Sequence, residues 1–419
     1  MTKIIAIIKD EKELDKVLAN HATVILILNL SGKNLNQKLN VKTKNYYINE
    51  NKLLNELGEQ IRDMSFNWPV NRLEEIKKIA IHDGIPLHYC TCLHFELVLR
   101  DIIVYVELIK KVLEKEKPDL TLVINSNDYL SNIIITTLSE LRAEHKIVQD
   151  SILVKTQNKI KTSSKFFAGR YLKPIVLDNY LKLKYANKTQ SITKNKNKKI
   201  MFFSYLNLDP QIMMPIIKKL QETNRNFLVF SLALDVQEFF IKNEIPFSTF
   251  ADYDLSNIKQ TINKKKKDLK HIWQVLDEDK KFIYDHINLW PCLRDELYYT
   301  IFKHFYEVIR LIEGIKIVIK EEETKVILMG SDVHRFGKAA ALMANKIGIE
   351  SLVIQHGAAG ILGFVPVTCT KIAVWGEASK KFLIQNNVPK EKIVVTGATK
   401  FDTIVNTKYD KEAILKEFN

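Results

Sequence analysis

The chain has 419 residues, 46% of them hydrophobic, and 63 Lys and Arg against 49 Asp and Glu give a formal net charge of +14. That length buries a sizeable core in two or three domains, and 13 glycines with 10 prolines exclude collagen-like and long disordered chains. The positive balance favours anionic partners such as phosphates or acidic headgroups, although the basic residues are dispersed and read mainly as a solvated surface.

The densest basic run is Lys264, Lys265, Lys266 and Lys267, with a looser cluster over 194–199. Aromatic residues are not interleaved with the tetrad, so nucleic acid is not an expected partner. No run of about 18 apolar residues predicts a transmembrane helix. The opening residues lack a basic leader and a small-residue cleavage site. With four cysteines (Cys90, Cys92, Cys292 and Cys369) this predicts a reduced, cytoplasmic protein, with peripheral contact at the inner membrane face through its basic surface.

Residues 1–165 read as an N-terminal α/β domain. Apolar runs at 4–8, 24–30 and 119–125 are strand-like, and Leu97, Ile102, Val106, Ile109 and Val112 can share one face of a helix over 93–116 that Pro118 ends. Residues 166–198 are a linker, aperiodic and Lys/Asn-rich toward its end. A buried-type strand follows at 200–205, then alternating helices (215–222, 236–243) and strands (227–232, 247–250). Residues 258–323 read as a long charged helical insertion whose aromatic anchors, Trp273, Trp290, Tyr298, Tyr299, Phe302 and Phe305, are core packing. In the last third, apolar runs at 326–329, 351–354, 372–375 and 393–396 with helices over 337–346 and 378–386 predict a doubly wound parallel sheet.

In such sheets ligands sit beyond the carboxyl ends of the strands, and those positions are rich in candidates. They hold Gly330, Ser331 and Asp332 with His334 and Arg335, then Gln355-His356-Gly357-Ala358-Ala359-Gly360, Gly376-Glu377, and Gly397 with Lys400 and Asp402. Small residues allow backbone to approach a ligand, and an imidazole with carboxylates supplies acid/base capacity.

The ordered series Gly330-Ser331-Asp332, Phe336-Gly337-Lys338-Ala339-Ala340, Gln355-His356-Gly357, Val374-Trp375-Gly376-Glu377, Val388-Pro389 through Thr396-Gly397, and Phe401-Asp402 resembles surface-polysaccharide enzymes of the GT-B superfamily. That group includes capsule and lipopolysaccharide glycosyltransferases and CDP-glycerol glycerophosphotransferases, and UDP-N-acetylglucosamine 2-epimerases share the scaffold. The resemblance spans 199–405, about half the chain. It implies α/β Rossmann-like sheets of GT-B type, with 199–405 the first Rossmann-like domain and 406–419 the start of an incomplete donor-binding domain. An alternative takes 1–198 and 199–419 as the two GT-B halves.

It further implies transfer of a sugar or glycerol phosphate from a nucleotide-activated donor to a surface polysaccharide or lipid-linked acceptor. His356 is the expected base, and Asp332 orients it or acts as base itself. Gly330, Ser331, Arg335, Gln355, Gly357, Gly376, Glu377, Gly397 and Asp402 are the expected substrate contacts. Arg335 can reach a phosphate, while His334 reads as helix-terminal surface. A 2-epimerase-like isomerase and a non-catalytic binding subunit are the alternatives.

His88, Cys90, Cys92 and His94 alternate potential metal ligands, and in an extended segment all four would share one face. Zinc sites pair such a motif with a distant second one, which is absent here, so reduced thiols and no metal are expected. Without a phosphate loop or a Gly-x-Gly-x-x-Gly turn, no nucleotide cofactor is expected either.

Overall fold

A computed structural model describes residues 3–8, 26–29, 43–44, 50–68, 74–125, 129–149, 199–402 and 415. The chain runs through β1 (Ile4–Ile8), β2 (Leu26–Asn29), β3 (Thr43–Lys44), α1 (Glu50–Asn67), α2 (Glu74–Ile79), β4 (Ile81–His82), β5 (Ile85–Pro86), α3 (Leu87–Glu116), β6 (Leu120–Asn125), α4 (Tyr129–Glu140) and β7 (His145–Gln149). After it come β8 (Lys199–Ser204), α5 (Asp209–Glu222), β9 (Phe227–Ser231), α6 (Leu234–Lys242), α7 (Ile258–Asp279), β10 (Ile283–Tyr284), β11 (Ile287–Asn288), α8 (Trp290–Tyr299) and α9 (Tyr306–Glu321). The last third holds β12 (Thr324–Met329), α10 (Arg335–Ile347), β13 (Glu350–Ile354), α11 (Ile361–Phe364), β14 (Lys371–Val374), α12 (Glu377–Gln385) and β15 (Ile393–Val395). The linker expected over 166–198, and the residues beyond 405 apart from Leu415, lie outside the described residues.

Contacts divide the chain into two compact units. The first comprises Met1–Leu73, His94–Lys182 and Lys270–Phe302, the second Glu74–Leu93, Leu183–Leu269 and Lys303–Asn419. This division cuts the chain differently from the linear reading: residues 74–93 fall with the second unit and 270–302 with the first.

The first unit carries a parallel sheet of order β3-β2-β1-β6-β7. Its central strand, Ile-Ile-Ala-Ile-Ile, is apolar throughout because both faces are covered. Ile5 and Ile7 pack on Leu108, Ile109 and Val112 of α3 and Ile134 and Leu138 of α4, while Ala6 and Ile8 pack with Leu122 and Ile124. Leu97, expected on the buried face of α3, is 45% exposed.

The second unit carries a parallel sheet of order β15-β14-β13-β12-β8-β9. Phe202 and Val229 on its strands pack on Ile212, Met213 and Ile217 of α5 and Val236 and Phe240 of α6. The α/β class with doubly wound parallel sheets is therefore observed. The chain first builds from β8 to β9, then reverses direction between β8 and β12, and that reversal makes a switch point at the strands' carboxyl ends.

Three expectations need correction. The strand expected over 247–250 shrinks to a single bridge, Ser248 to Phe230. Thr249 and Asp252 instead close a capping box around a 3-10 turn, Phe250–Asp252. The helical stretch over 258–323 is interrupted by the β10–β11 hairpin, whose turn residues Asp285 and His286 take φ of 43° and 66°. Finally, His88 to His94 lies on α3 and not in an extended segment. Helical geometry turns alternate residues to opposite sides, so the four ring and sulfur groups do not share a face. Among the described residues, no group of three or more His, Cys, Asp or Glu could hold a metal ion. No helix among them is long and apolar enough to cross a membrane.

Candidate functional site

All the predicted site residues belong to the second unit, on the loops that leave the carboxyl ends of its parallel strands. These loops form two contrasting groups.

The β8 and β12 ends are tightly packed. Asp209, at the start of α5, is fully buried and accepts the backbone N–H groups of Tyr205 at 2.7 Å and Leu206 at 2.8 Å. Burial pushes its carboxyl up to about 6, against the opposing amides of Leu206 and Tyr205 and the Ser204 hydroxyl. Gly330 faces it so closely that a Cβ there would lie 2.2 Å from Asp209 Oδ1. The Tyr205 hydroxyl donates to the carbonyl of Ser331, itself buried. A Cβ on Gly337 would meet that carbonyl at 1.9 Å. Glycine at both positions is thus a packing requirement.

Asp332 is fully buried in the same region, where its Oδ2 accepts the backbone N–H groups of Thr368 at 2.6 Å and Cys369 at 2.8 Å. Burial raises its pKa, opposed by the Cys369 amide and by the Lys338 ammonium. No hydrogen bond joins Asp332 to His356 among the described residues; this carboxylate anchors the 368–369 backbone. Arg335 also has a protein partner, with its Nε 3.0 Å from Glu307 Oε2 and its guanidinium over the Phe336 ring. The His334 ring stacks on Tyr205 at 5.5 Å.

The ends of β13, β14 and β15 differ. Gln355 ties the first two together: its Oε1 accepts the Trp375 N–H at 2.8 Å, and its carbonyl accepts the Trp375 indole N–H at 2.8 Å. Its Nε2 donates to the Gly357 carbonyl at 2.8 Å. Gln355 therefore shapes the loop that presents His356. The His356 imidazole is half-buried and packs on Phe364 at 4.7 Å between centroids. Burial, and then the positive charge of Lys400, hold its pKa below the ordinary histidine value, so it is neutral at neutral pH and able to accept a proton.

Around it the glycines are open: a Cβ at Gly357, Gly360, Gly376 or Gly397 would meet nothing within 4 Å. Gly397 needs glycine for its φ of +82°, whereas Gly376 is extended backbone that begins α12. Glu377, in the first turn of α12, and Asp402 are exposed.

The sequence analysis named Lys400 and Trp375 only as strand-end and motif positions, with no role, and did not name Asp209. Lys400 Nζ donates to the His356 carbonyl at 3.3 Å and sits 4.4 Å from the Trp375 ring centroid. Both residues were visible as strand-end positions. Asp209 was findable by inspecting the end of the 200–205 run in the same way.

No family model matches the chain, and no curated protein matches it. Among solved structures, 49% of the chain is similar to 48% of a UDP-GlcNAc 2-epimerase from Neisseria meningitidis bound to UDP-GlcNAc, at 16% identity and a TM-score of 0.32. The chain thus spans about half the length of that protein. A spinosyn rhamnosyltransferase complexed with thymidine diphosphate is similar over 85% of this chain and 81% of its own, at 8% identity and a TM-score of 0.19.

Proposed function

We propose that the protein is a glycosyltransferase-like enzyme of GT-B type that moves a sugar, or glycerol phosphate, from a nucleotide-activated donor to a surface polysaccharide or its lipid-linked precursor. The observation that carries the reading is His356: a half-buried imidazole at the carboxyl end of β13, packed on Phe364 and bordered by glycines with unfilled space. In the proposed sugar transfer, His356 takes the proton of the acceptor hydroxyl as its oxygen attacks the anomeric carbon. The bond from that carbon to the diphosphate breaks, and its electron pair leaves on the phosphate oxygen. Asp332 acts as a positioning residue by fixing the 368–369 backbone. The parallel order β3-β2-β1-β6-β7 in the first unit is compatible with an additional N-terminal α/β domain and with the alternative in which 1–198 and 199–419 are the two GT-B halves.

The test is a panel of nucleotide sugars and CDP-glycerol, assayed for donor consumption with and without lipid-linked acceptors. Acceptor-dependent release of nucleotide supports transfer. Conversion of UDP-N-acetylglucosamine alone assigns the 2-epimerase activity instead, and absence of both turnover and binding across the panel rejects the enzyme reading.

A further inference from the structure

Lys400 differs from Lys199, Lys316 and Lys346 of the second unit, which meet carboxylates, and from Lys338, which is fully buried on the Cys92 sulfur and the Tyr89 ring. Lys199 reaches Glu322, Lys316 pairs with Asp83 and Glu313, and Lys346 pairs with Asp83. The Lys400 ammonium, by contrast, is half-buried against a carbonyl and two ring faces: the His356 carbonyl at 3.3 Å, Trp375 at 4.4 Å and Phe401 at 5.1 Å. Among the described residues no carboxylate pairs with it. Dipoles and ring quadrupoles hold a cation there without neutralising it, so a partly desolvated positive charge is left beside the open positions Gly357 and Gly376.

We propose that Lys400 anchors a phosphate-binding subsite at the ends of β13 and β14, taking a phosphoryl or diphosphoryl group beside Trp375 and His356. The proposal rests on the reading of these strand ends as the donor site. It names the anionic part of the substrate as the group they hold. It also gives the site a coupling. Lys400 is the charged group that acts on the His356 imidazole among the described residues, and it disfavours the proton there. An anion on Lys400 offsets that charge, so a bound diphosphate makes His356 a better proton acceptor. The base is then strengthened by the arrival of the donor.

The experiment titrates the whole chain with inorganic pyrophosphate, uridine diphosphate and phosphatidylserine vesicles by calorimetry, while NMR follows the titration of His356. Wild-type protein is expected to bind pyrophosphate and uridine diphosphate, with affinity about tenfold or more weaker in Lys400→Gln and retained in Lys400→Arg. Saturating pyrophosphate is expected to move the His356 titration to higher pH in wild type and to leave it unmoved in Lys400→Gln. Equal pyrophosphate affinity in wild type and Lys400→Gln overturns the proposal. So does a His356 titration that pyrophosphate leaves in place, a measurement on wild type that needs no variant to fold. Lys400-dependent binding of vesicles without binding of either diphosphate overturns the diphosphate assignment in favour of a lipid headgroup. Lys400-dependent pyrophosphate binding in a protein that turns over no donor keeps the subsite and removes the transfer reading. The opposite pair of results removes the subsite alone.

Discussion

The packed and open ends of the second unit's sheet use the same residue types for different purposes. At the ends of β8 and β12, glycine is present because Asp209 Oδ1 and the Ser331 carbonyl leave no room for a Cβ, and the buried carboxylates hold backbone amides. At the ends of β13 and β14, Gly357, Gly360 and Gly376 border free space, and the polar side chains there include the His356 imidazole and a Lys400 cation that no carboxylate among the described residues pairs with. Packing requires glycine at 330 and 337, whereas no neighbour within 4 Å requires it at 357, 360 or 376. The proposed function is placed at the open end, with the carboxylates at the packed end as its support. The comparison can be broken by moving catalysis to Asp209 or Asp332, or sharpened by separating effects on activity from effects on stability.

The largest expected effect is on activity at the open end. His356→Gln removes the proton acceptor and should lower turnover of the active donor about 10²–10⁴-fold, with unfolding stability close to wild type. Because burial and Lys400 lower its pKa in the free protein, the acid limb of the wild-type kcat/KM profile should lie below the ordinary histidine value. A limb near 6 that survives in His356→Gln would point to Asp209, and the comparison would collapse.

Next in size is the pH response of the packed end. The Asp209 carboxyl is raised from 3.8 to about 6 in the folded protein, so the folded state binds the proton more tightly than the unfolded one. Its stabilising contribution is complete below about 3.8 and is lost as pH rises through about 6. The shift of about two units corresponds to about 3 kcal/mol. Relative to Asp209→Asn, wild type should lose roughly that amount between pH 4 and pH 7, measured by urea unfolding at a series of pH values. A constant difference would mean that Asp209 is ionised throughout.

Glycine substitutions probe the same contrast with smaller effects. Gly337→Ala places a Cβ 1.9 Å from a main-chain oxygen that cannot swing aside, and should cost about 2–3 kcal/mol. Gly357→Ala meets nothing, and should change stability by less than about 1 kcal/mol in either direction. Thermal unfolding of the two variants reads this directly, and equal losses would mean that the open end is packed after all.

How much of this was legible in the sequence follows from the range of each interaction. The apolar runs of the last third gave β12 to β15 nearly to the residue: β12, β13 and β14 are largely buried and so apolar, whereas β15 is an edge strand whose Val394 and Val395 are exposed. The capping box at Thr249 and the Asp285-His286 turn were missed because local side-chain and turn chemistry overrode a plausible periodicity. The alternation of His88, Cys90, Cys92 and His94 was set aside as a ligand row, and nothing in its spacing showed that α3 places Cys92 Sγ 3.4 Å from Lys338 Nζ, a contact across 246 residues of sequence. The strand-end motif located His356 and Asp332 equally well, but nothing in the spacing said that the Asp332 carboxylate faces the Thr368 and Cys369 amides. The pairing of Arg335 with Glu307 was likewise invisible, since the partner lies on a different helix.

Arg335 supplies the smallest expected effect. A phosphate-binding arginine loses substrate affinity when its charge is removed, whereas one engaged with a carboxylate loses only an ion pair. Both partners here are about one-fifth exposed, with side-chain accessibilities of 22% each, so solvent screens the pair and its contribution is about 0–1 kcal/mol. Arg335→Gln should therefore lower stability by no more than that and leave donor KM within about threefold of wild type, a difference under 1 kcal/mol. Glu307→Gln tests the same pair from the other side. If Arg335 is held only by Glu307, the two single variants and the double variant should show the same small loss of stability. A large rise in KM in Arg335→Gln, with Glu307→Gln unaffected, would show instead that the guanidinium leaves Glu307 to meet substrate and would extend the functional region into the packed end.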